Sequence, residues 1–456
     1  MAERSGPEYL SKGNALADDP APMRSWIEQQ TRYKPAFRAD ATRWALDSSR
    51  PADRLDAEIW VLLTHAEGDN NQCLALAEAV GLPHVVRRVD WPASNPTMDR
   101  DRLGDLLRDN EEAQRQRQAL GLLAPWPRIV ISCGHRSDPV AFWIKRQSRG
   151  FTRVVAIGRA RESIGEYDLL VTAPPFMLPE HPNVIHLPIS LARQGRAAGA
   201  GMAAEFTAAP QPWFTILLGG RVKQFVCGET ALMETALRAQ AAAERTGGSV
   251  VVATSRRTPP ELLAAVESVI RNPCILRWSG SREPSPYVAL LHQSAALFVT
   301  ADSISMIGDG CGSGTPTYII ELPERLDFRR LSRRVLYRLI RAVSRGLRHI
   351  HLRSLAEEVD RTQDWLHGKR VLRYPRDLRS FHAKVYELCL AQPADAFNPA
   401  VLLPRQAPKP LVGEPAVRAI TSRCLSLLSV ADAGSTSPED WCTRPPLPGR
   451  GFSEVF

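Results

Sequence analysis

The stretch VTADSISMIGDGCGSGTPTYII, residues Val299 to Ile320, sets two carboxylates among hydroxyls and glycines at the exit of an apolar run. Asp302 or Ser303 is placed to cap a helix starting just behind it. That leaves the backbone N–H groups of Ile304 and Ser305 to meet a phosphate. Asp309 falls seven residues after Asp302, one or two turns into the same helix, where a carboxylate accepts hydrogen bonds from ribose hydroxyls. Gly308, Gly310, Gly312 and Gly314 allow close approach along that helix. The plainer reading of these residues is a capped helix packed through its glycines with no ligand.

Other loops carry related chemistry. Gly219 and Gly220 close the run WFTILLGG, where the missing side chains let phosphates come near the main chain, and Lys223 stands close enough to add charge. Ser255 and Arg256 follow the run VVVA, and Arg256 suits a diphosphate, although a surface arginine beside a helix start is the commoner case. Trp278, just past CILR, either walls a base pocket or is simply buried. In the first half, His65, Glu67, Asp69, Asn70, Asn71 and Gln72 share one loop, and His135, Arg136, Ser137 and Asp138 share another. Such loops bind hydroxyls and supply a general base, while Asn71 and Asp138 read more simply as helix caps.

These loops need a frame that presents them together. Ile59 to Leu63 predicts a strand, Thr64 to Asn71 a polar loop, and Cys73, Leu74, Leu76, Ala77 and Val80 a helix. The same grammar returns at RIVISCGHRSDPVAFWIKRQS, and RVVAIGRA, YDLLVTAPP and NVIHLPI add short strands. After a linker rich in Ala, Gly and Pro, a second series begins at WFTILLGG. Strands alternating with helices predict parallel sheets covered on both faces, with ligands at the carboxyl ends of the strands. The expected organisation is an extension over 1–50, a first domain over 51–191, a linker over 192–212, a second domain over 213–327, a basic helical region over 328–392 and a weakly ordered Pro-rich tail over 393–456.

The chain has 456 residues, 44% of them hydrophobic, enough for more than one core. Its 58 basic against 49 acidic residues give a net charge of +9, which favours an anionic partner. Nine arginines and no acid lie between Arg329 and Arg353, while Leu331, Val335, Leu339 and Val343 trace one helical stripe. That pattern fits a helix lying on an anionic membrane, or a solvated cationic face on a helix packed against the protein. Nucleic acid ranks lower, because these arginines are not interleaved with aromatics beyond Tyr337. The eight cysteines lack the paired spacing of a metal site or disulfide framework, so a reducing cytoplasm is expected. No apolar run approaches the ~20 residues needed to cross a bilayer.

Six motifs in order, GDNNQCLALAEAVGL, ISCGHRSDPVAFWIKR, IGRARESIGEYDLLVTAP, LLGGRVKQF, TSRRTPPE and TADSISMIGDGCGSGTPTYI, resemble bacterial glycosyltransferase-like proteins related to the plant "elongated mitochondria" fission proteins. The resemblance spans about residues 57 to 325. It implies an α/β fold of two Rossmann-like, doubly wound parallel-sheet domains facing a cleft, the GT-B type. A nucleotide-sugar donor would sit on Gly219, Gly220, Lys223, Ser255, Arg256, Asp302, Ser303, Ser305 and Asp309. A saccharide or lipid-linked acceptor of the cell envelope would sit on Asn70, Gln72, Gly134 and Arg136, with Asp69 or His135 as base. No metal and no cofactor is implied, and the expected location is the cytoplasm, peripheral on the inner face of the membrane. The rivals are a non-catalytic recruitment protein of the fission type and a nucleotide-sugar epimerase. Two positions depart from the family pattern: Asp309 replaces a glutamate, and His135 replaces an arginine.

Overall fold

The computed structural model describes residues 59–81, 83–89, 103–191, 208–220, 224–225, 228–278, 286–325, 327–369, 371–404 and 414–432. The extension over 1–50, most of the linker and Lys223 lie outside them. In the first domain, β1 (Ile59–Leu63), β3 (Ile129–Cys133) and β5 (Leu169–Thr172) are buried along their whole length. Continuous apolar runs are what a parallel sheet covered on both faces requires. With β2 (His84–Arg88), β4 (Arg153–Ile157) and β6 (Val184–His186) they form one sheet in the order β2-β1-β3-β4-β5-β6, every pairing parallel.

Helices among the described residues of this half include α1 (Glu67–Val80), α2 (Glu111–Ala119) and α3 (Ser137–Gln147). α1 ends on Gly81, whose left-handed backbone (φ 72°) closes the last turn. It starts earlier than its hydrophobic pattern suggests, at Glu67 rather than beyond Asn71. Its first turn faces the cleft and is therefore polar, and in the sequence a polar turn is indistinguishable from a loop.

The second domain repeats the plan. β7 (Trp213–Leu218), β8 (Ser249–Thr254), β9 (Cys274–Leu276), β10 (Ser294–Thr300) and β11 (Thr317–Ile320) alternate with α4 (Glu229–Thr246), α5 (Pro260–Glu267), α6 (Pro286–Gln293) and α7 (Ile304–Gly312). The parallel order is β12-β11-β10-β7-β8-β9, the outermost strand being the short β12 (Gln392–Pro393). Proline is tolerated there because an edge strand leaves one side unpaired. Two doubly wound parallel-sheet domains facing a cleft are the GT-B-like arrangement expected from the sequence.

The C-terminal elements lace the halves together. α8 (Phe328–His349) and α9 (Arg353–Gly368) run back to the first domain, where Tyr337 and Tyr374 join its core. α10 (Leu378–Glu387) packs on the second domain through Leu378, Phe381 and Val385. The segment read as a weakly ordered tail contains α11 (Glu414–Asp432), which lies on the first sheet and buries Ala416, Ile420, Cys424 and Leu428. Those four recur every four residues, a helical stripe masked by prolines on either side. α8 also departs from expectation. Its arginines are divided: Arg334, Arg341 and Arg348 turn inward, Arg333, Arg338 and Arg345 stay exposed, and the apolar stripe is left outside.

Candidate functional site

In an open parallel sheet the crevice opens where the strand order reverses. In the first sheet that point lies between β1 and β3, and in the second between β7 and β10. The segments leaving these four strands carry Asp69, in the first turn of α1, and Gly134, Gly219 and Asp302. The walls meet in a cleft of about 880 Å³, a size suited to a small organic ligand.

On the second-domain wall, Asp302 is buried behind the end of β10 and accepts a hydrogen bond from the Gly220 N–H at 2.7 Å. Thr300 accepts from the Gly219 N–H at 2.8 Å, so the exits of β7 and β10 are tied together. Burial raises the Asp302 pKa, and the Gly220 and Thr300 hydrogen bonds oppose the rise. The glycine pair has a packing cause: a Cβ at Gly219 would overlap the Asp302 carboxylate, and one at Gly220 would overlap Arg257. The Ser255 hydroxyl donates to the Gly219 carbonyl at 3.0 Å and so braces the same loop. Ser303 opens α7 without a side-chain cap.

Asp309, one and a half turns into α7, accepts from the Tyr287 hydroxyl at 3.0 Å. Burial pushes its pKa up to about 7, with Glu67 of the first domain adding to the rise and the Tyr287 hydrogen bond opposing it. One oxygen is thus engaged within the protein before any ribose arrives.

On the first-domain wall, Asp69 lies in the first turn of α1, hydrogen-bonded by Cys133. Gly134, at φ 93°, leaves room for its carboxylate. Burial raises the Asp69 pKa, and the field of Arg161, Arg257 and Arg376 pulls the other way. Arg376 feels both Asp302 and Asp69, so it stands between the two walls. Arg159 is pushed down to about 10 by burial, assisted by Arg161, Arg373, Arg376 and Arg333. Of the arginines lining the cleft, Arg159 and Arg376 are half-buried and Arg161 and Arg257 exposed, and guanidiniums gathered in one cleft make a site for an anion with several oxygens.

Asp69, Gln72, Gly134, His135, Arg136, Ser255, Arg256, Asp302, Ser303, Ser305 and Asp309 all line this cleft. Asn70 does not: its side-chain oxygen accepts from the Thr64 N–H at 2.8 Å and its amide donates to the Thr64 carbonyl, pinning the loop instead. Gly219 and Gly220 sit behind the wall rather than on it. Sequence reasoning passed over Arg159, Arg161, Arg257 and Arg376. The first two follow strand β4 and were open to the same rule that found the other loops. Arg376 had no local signal, because only the return of the chain across both domains carries it to the cleft.

Among the described residues no group of three or more His, Cys, Asp or Glu is arranged to hold a metal ion. The chain is 27% identical over 224 residues to mitochondrial fission protein ELM1 of Arabidopsis thaliana, an overlap of 42% of this chain and 51% of that protein. It thus spans about half the length of that curated relative. Among solved structures, S. aureus MnaA with UDP is 9% identical and aligns over 58% of this chain and 79% of its own, with a TM-score of 0.38. Neisseria meningitidis UDP-GlcNAc 2-epimerase bound to UDP-GlcNAc is 10% identical over 72% of this chain and 100% of its own, with a TM-score of 0.37. Acinetobacter baumannii MurG is 12% identical over 82% and 99%, with a TM-score of 0.34. Likeness at these scores decides nothing about chemistry. The family model described as mitochondrial fission ELM1 matches residues 67–343, more than half of the chain, and the chain belongs to that family.

Proposed function

We propose that the cleft binds a nucleotide-diphosphate sugar and that the chain transfers the sugar to a cell-envelope acceptor, lipid-linked or of the lipopolysaccharide core. The donor would lie against residues 213–327 and the acceptor against 51–191. The observation that supports this is the gathering of Arg159, Arg161, Arg257 and Arg376 in a cleft between two strand-order reversals. In the transfer, an acceptor hydroxyl oxygen bonds to the anomeric carbon as the bond from that carbon to the terminal phosphate oxygen breaks. The nucleoside diphosphate leaves with the electron pair, and the hydroxyl proton passes to a base. Asp69 fits that role because burial raises its proton affinity, and His135, exposed and also lining the cleft, is the alternative base. The guanidiniums and the N-terminus of α7 stabilise the departing diphosphate.

The test is thermal unfolding with UDP-, GDP-, CDP- and ADP-linked sugars. A ligand at about one hundred times its dissociation constant stabilises by roughly 2.7 kcal/mol. One nucleotide class should raise the midpoint, and Arg376→Ala should abolish the rise. Indifference to all four classes would remove the reading.

A second reading is non-catalytic recruitment of the fission type, for which family membership speaks more directly than it does for sugar transfer. Under it, Asp69→Asn leaves the biological role intact. Epimerisation differs from both, since it converts the donor with no acceptor present.

A further inference from the structure

α8 is packed inside out. The side it turns to the protein holds Tyr337 and Ser344, both buried, together with arginines. Arg334 meets Glu324 at 2.7 Å and Arg348 meets Glu180 at 3.2 Å and also Asp360, while Arg338, on the rim of the helix, reaches Asp377 at 3.1 Å and stays mostly exposed. Arg341 donates to the Leu178 carbonyl at 3.3 Å. On the opposite side Leu331, Val335, Leu339 and Val343 are each about half exposed. At 100° per residue they form one stripe, which Ile350 continues. The neighbouring α9 adds Leu355 and Trp365, the latter 60% exposed.

A surface helix normally turns such a stripe to the core. Here the inner side is committed to ion pairs, so the stripe needs a cover from outside. Eleven of the eighteen exposed large hydrophobic residues identified among the described residues fall between Phe328 and Val371. Exposed apolar side chains gathered on two helices that pack against each other are a mark of an interaction site.

We infer that the outer face of α8 and α9 is a docking surface for an anionic lipid bilayer. Charge complementarity selects this occupant. Arg333 flanks the stripe on one side and Arg338 and Arg345 on the other, all exposed, and no acidic residue occurs from Phe328 to Ala356. On α9, Glu357 and Glu358 are exposed, and Glu358 is paired with Arg361 at 3.2 Å. A second copy docked symmetrically would bring one set of cationic flanks against the other. A bilayer of anionic lipids accepts the aliphatic stripe in its interface and the guanidiniums among its headgroups. Trp365 suits the same boundary, with an apolar ring and one polar N–H. No helix among the described residues is long and apolar enough to cross a membrane, so the contact is one of lying on the surface. The inference stands apart from the nucleotide-sugar reading, because neither the stripe nor its flanks line the cleft.

The experiment is flotation of the purified full chain with phosphatidylcholine vesicles, with and without phosphatidylglycerol, in the absence of any nucleotide. The chain should float with the phosphatidylglycerol vesicles and be released by salt. Leu339→Glu with Val343→Glu should abolish flotation without moving the unfolding midpoint, since both side chains point outward. Arg333→Ala with Arg345→Ala should weaken binding roughly thirtyfold, at about one kcal/mol per arginine near an anionic surface. Arg341 is unsuitable for this test because it holds α8 to the first domain. No flotation by the unaltered chain, or undiminished flotation by the double glutamate variant, would overturn the inference. So would a dimer in solution that the double glutamate variant dissociates, since a second copy would then be the cover.

Discussion

Asp309 shows how a side chain chosen by its spacing acquires its properties from neighbours far away in sequence. Its ordinary pKa is near 3.8, and in the folded chain it stands at about 7 through burial, with Glu67 reinforcing the effect. The sign follows from linkage: below about pH 4 both folded and unfolded forms are protonated, and between about 4 and 7 the unfolded chain ionises while the native one does not. Native stability therefore declines across that window and levels off above it. Asp309→Asn keeps an acceptor for the Tyr287 hydroxyl and removes the titration. Its advantage over the unaltered chain should grow from pH 4 to pH 7 and then stay constant, as read by urea unfolding. A pH-independent difference would mean that the carboxyl ionises normally. The same scale explains Asn70, a plausible contact in the sequence whose side chain is spent on the Thr64 backbone.

Among the elements, the strands followed from runs such as Ile129 to Cys133, because full burial in a parallel sheet leaves an unbroken apolar signature. The helices that depart from expectation are those whose periodicity was visible but whose orientation was not. In α8 the stripe and the arginines are both plain, yet which side turns inward depends on Glu180, Glu324, Asp360 and Asp377, each outside the helix. α11 is the converse, a core element set in a Pro-rich region. Ile420 is buried against the first sheet, so Ile420→Ala should cost about 2–4 kcal/mol in urea unfolding. A loss below about half a kcal/mol would show that α11 does not dock there in solution.

At the scale of the molecule, the cleft is set by contacts between halves that never adjoin in the chain. Side chains added at Gly68 and Gly308 would crowd Ser305 and Ser190 on the opposing half, so these glycines let α7 approach the first domain closely. Gly68→Ala with Gly308→Ala should hold the halves apart and raise the radius of gyration in small-angle scattering, with each domain still folded. An unchanged radius would show that the serines rotate away and that the approach does not depend on the glycines. By itself the sequence determined the two strand-helix series, the loops at their carboxyl ends and most of the residues that reach the cleft, because periodicity and turn chemistry are local. Only the tertiary structure decided that Asp69 and Asp302 share the field of Arg376, that Gly219 serves packing, and that the stripe of α8 faces outward. Each of these depends on where a distant segment returns, and local sequence carries no record of that.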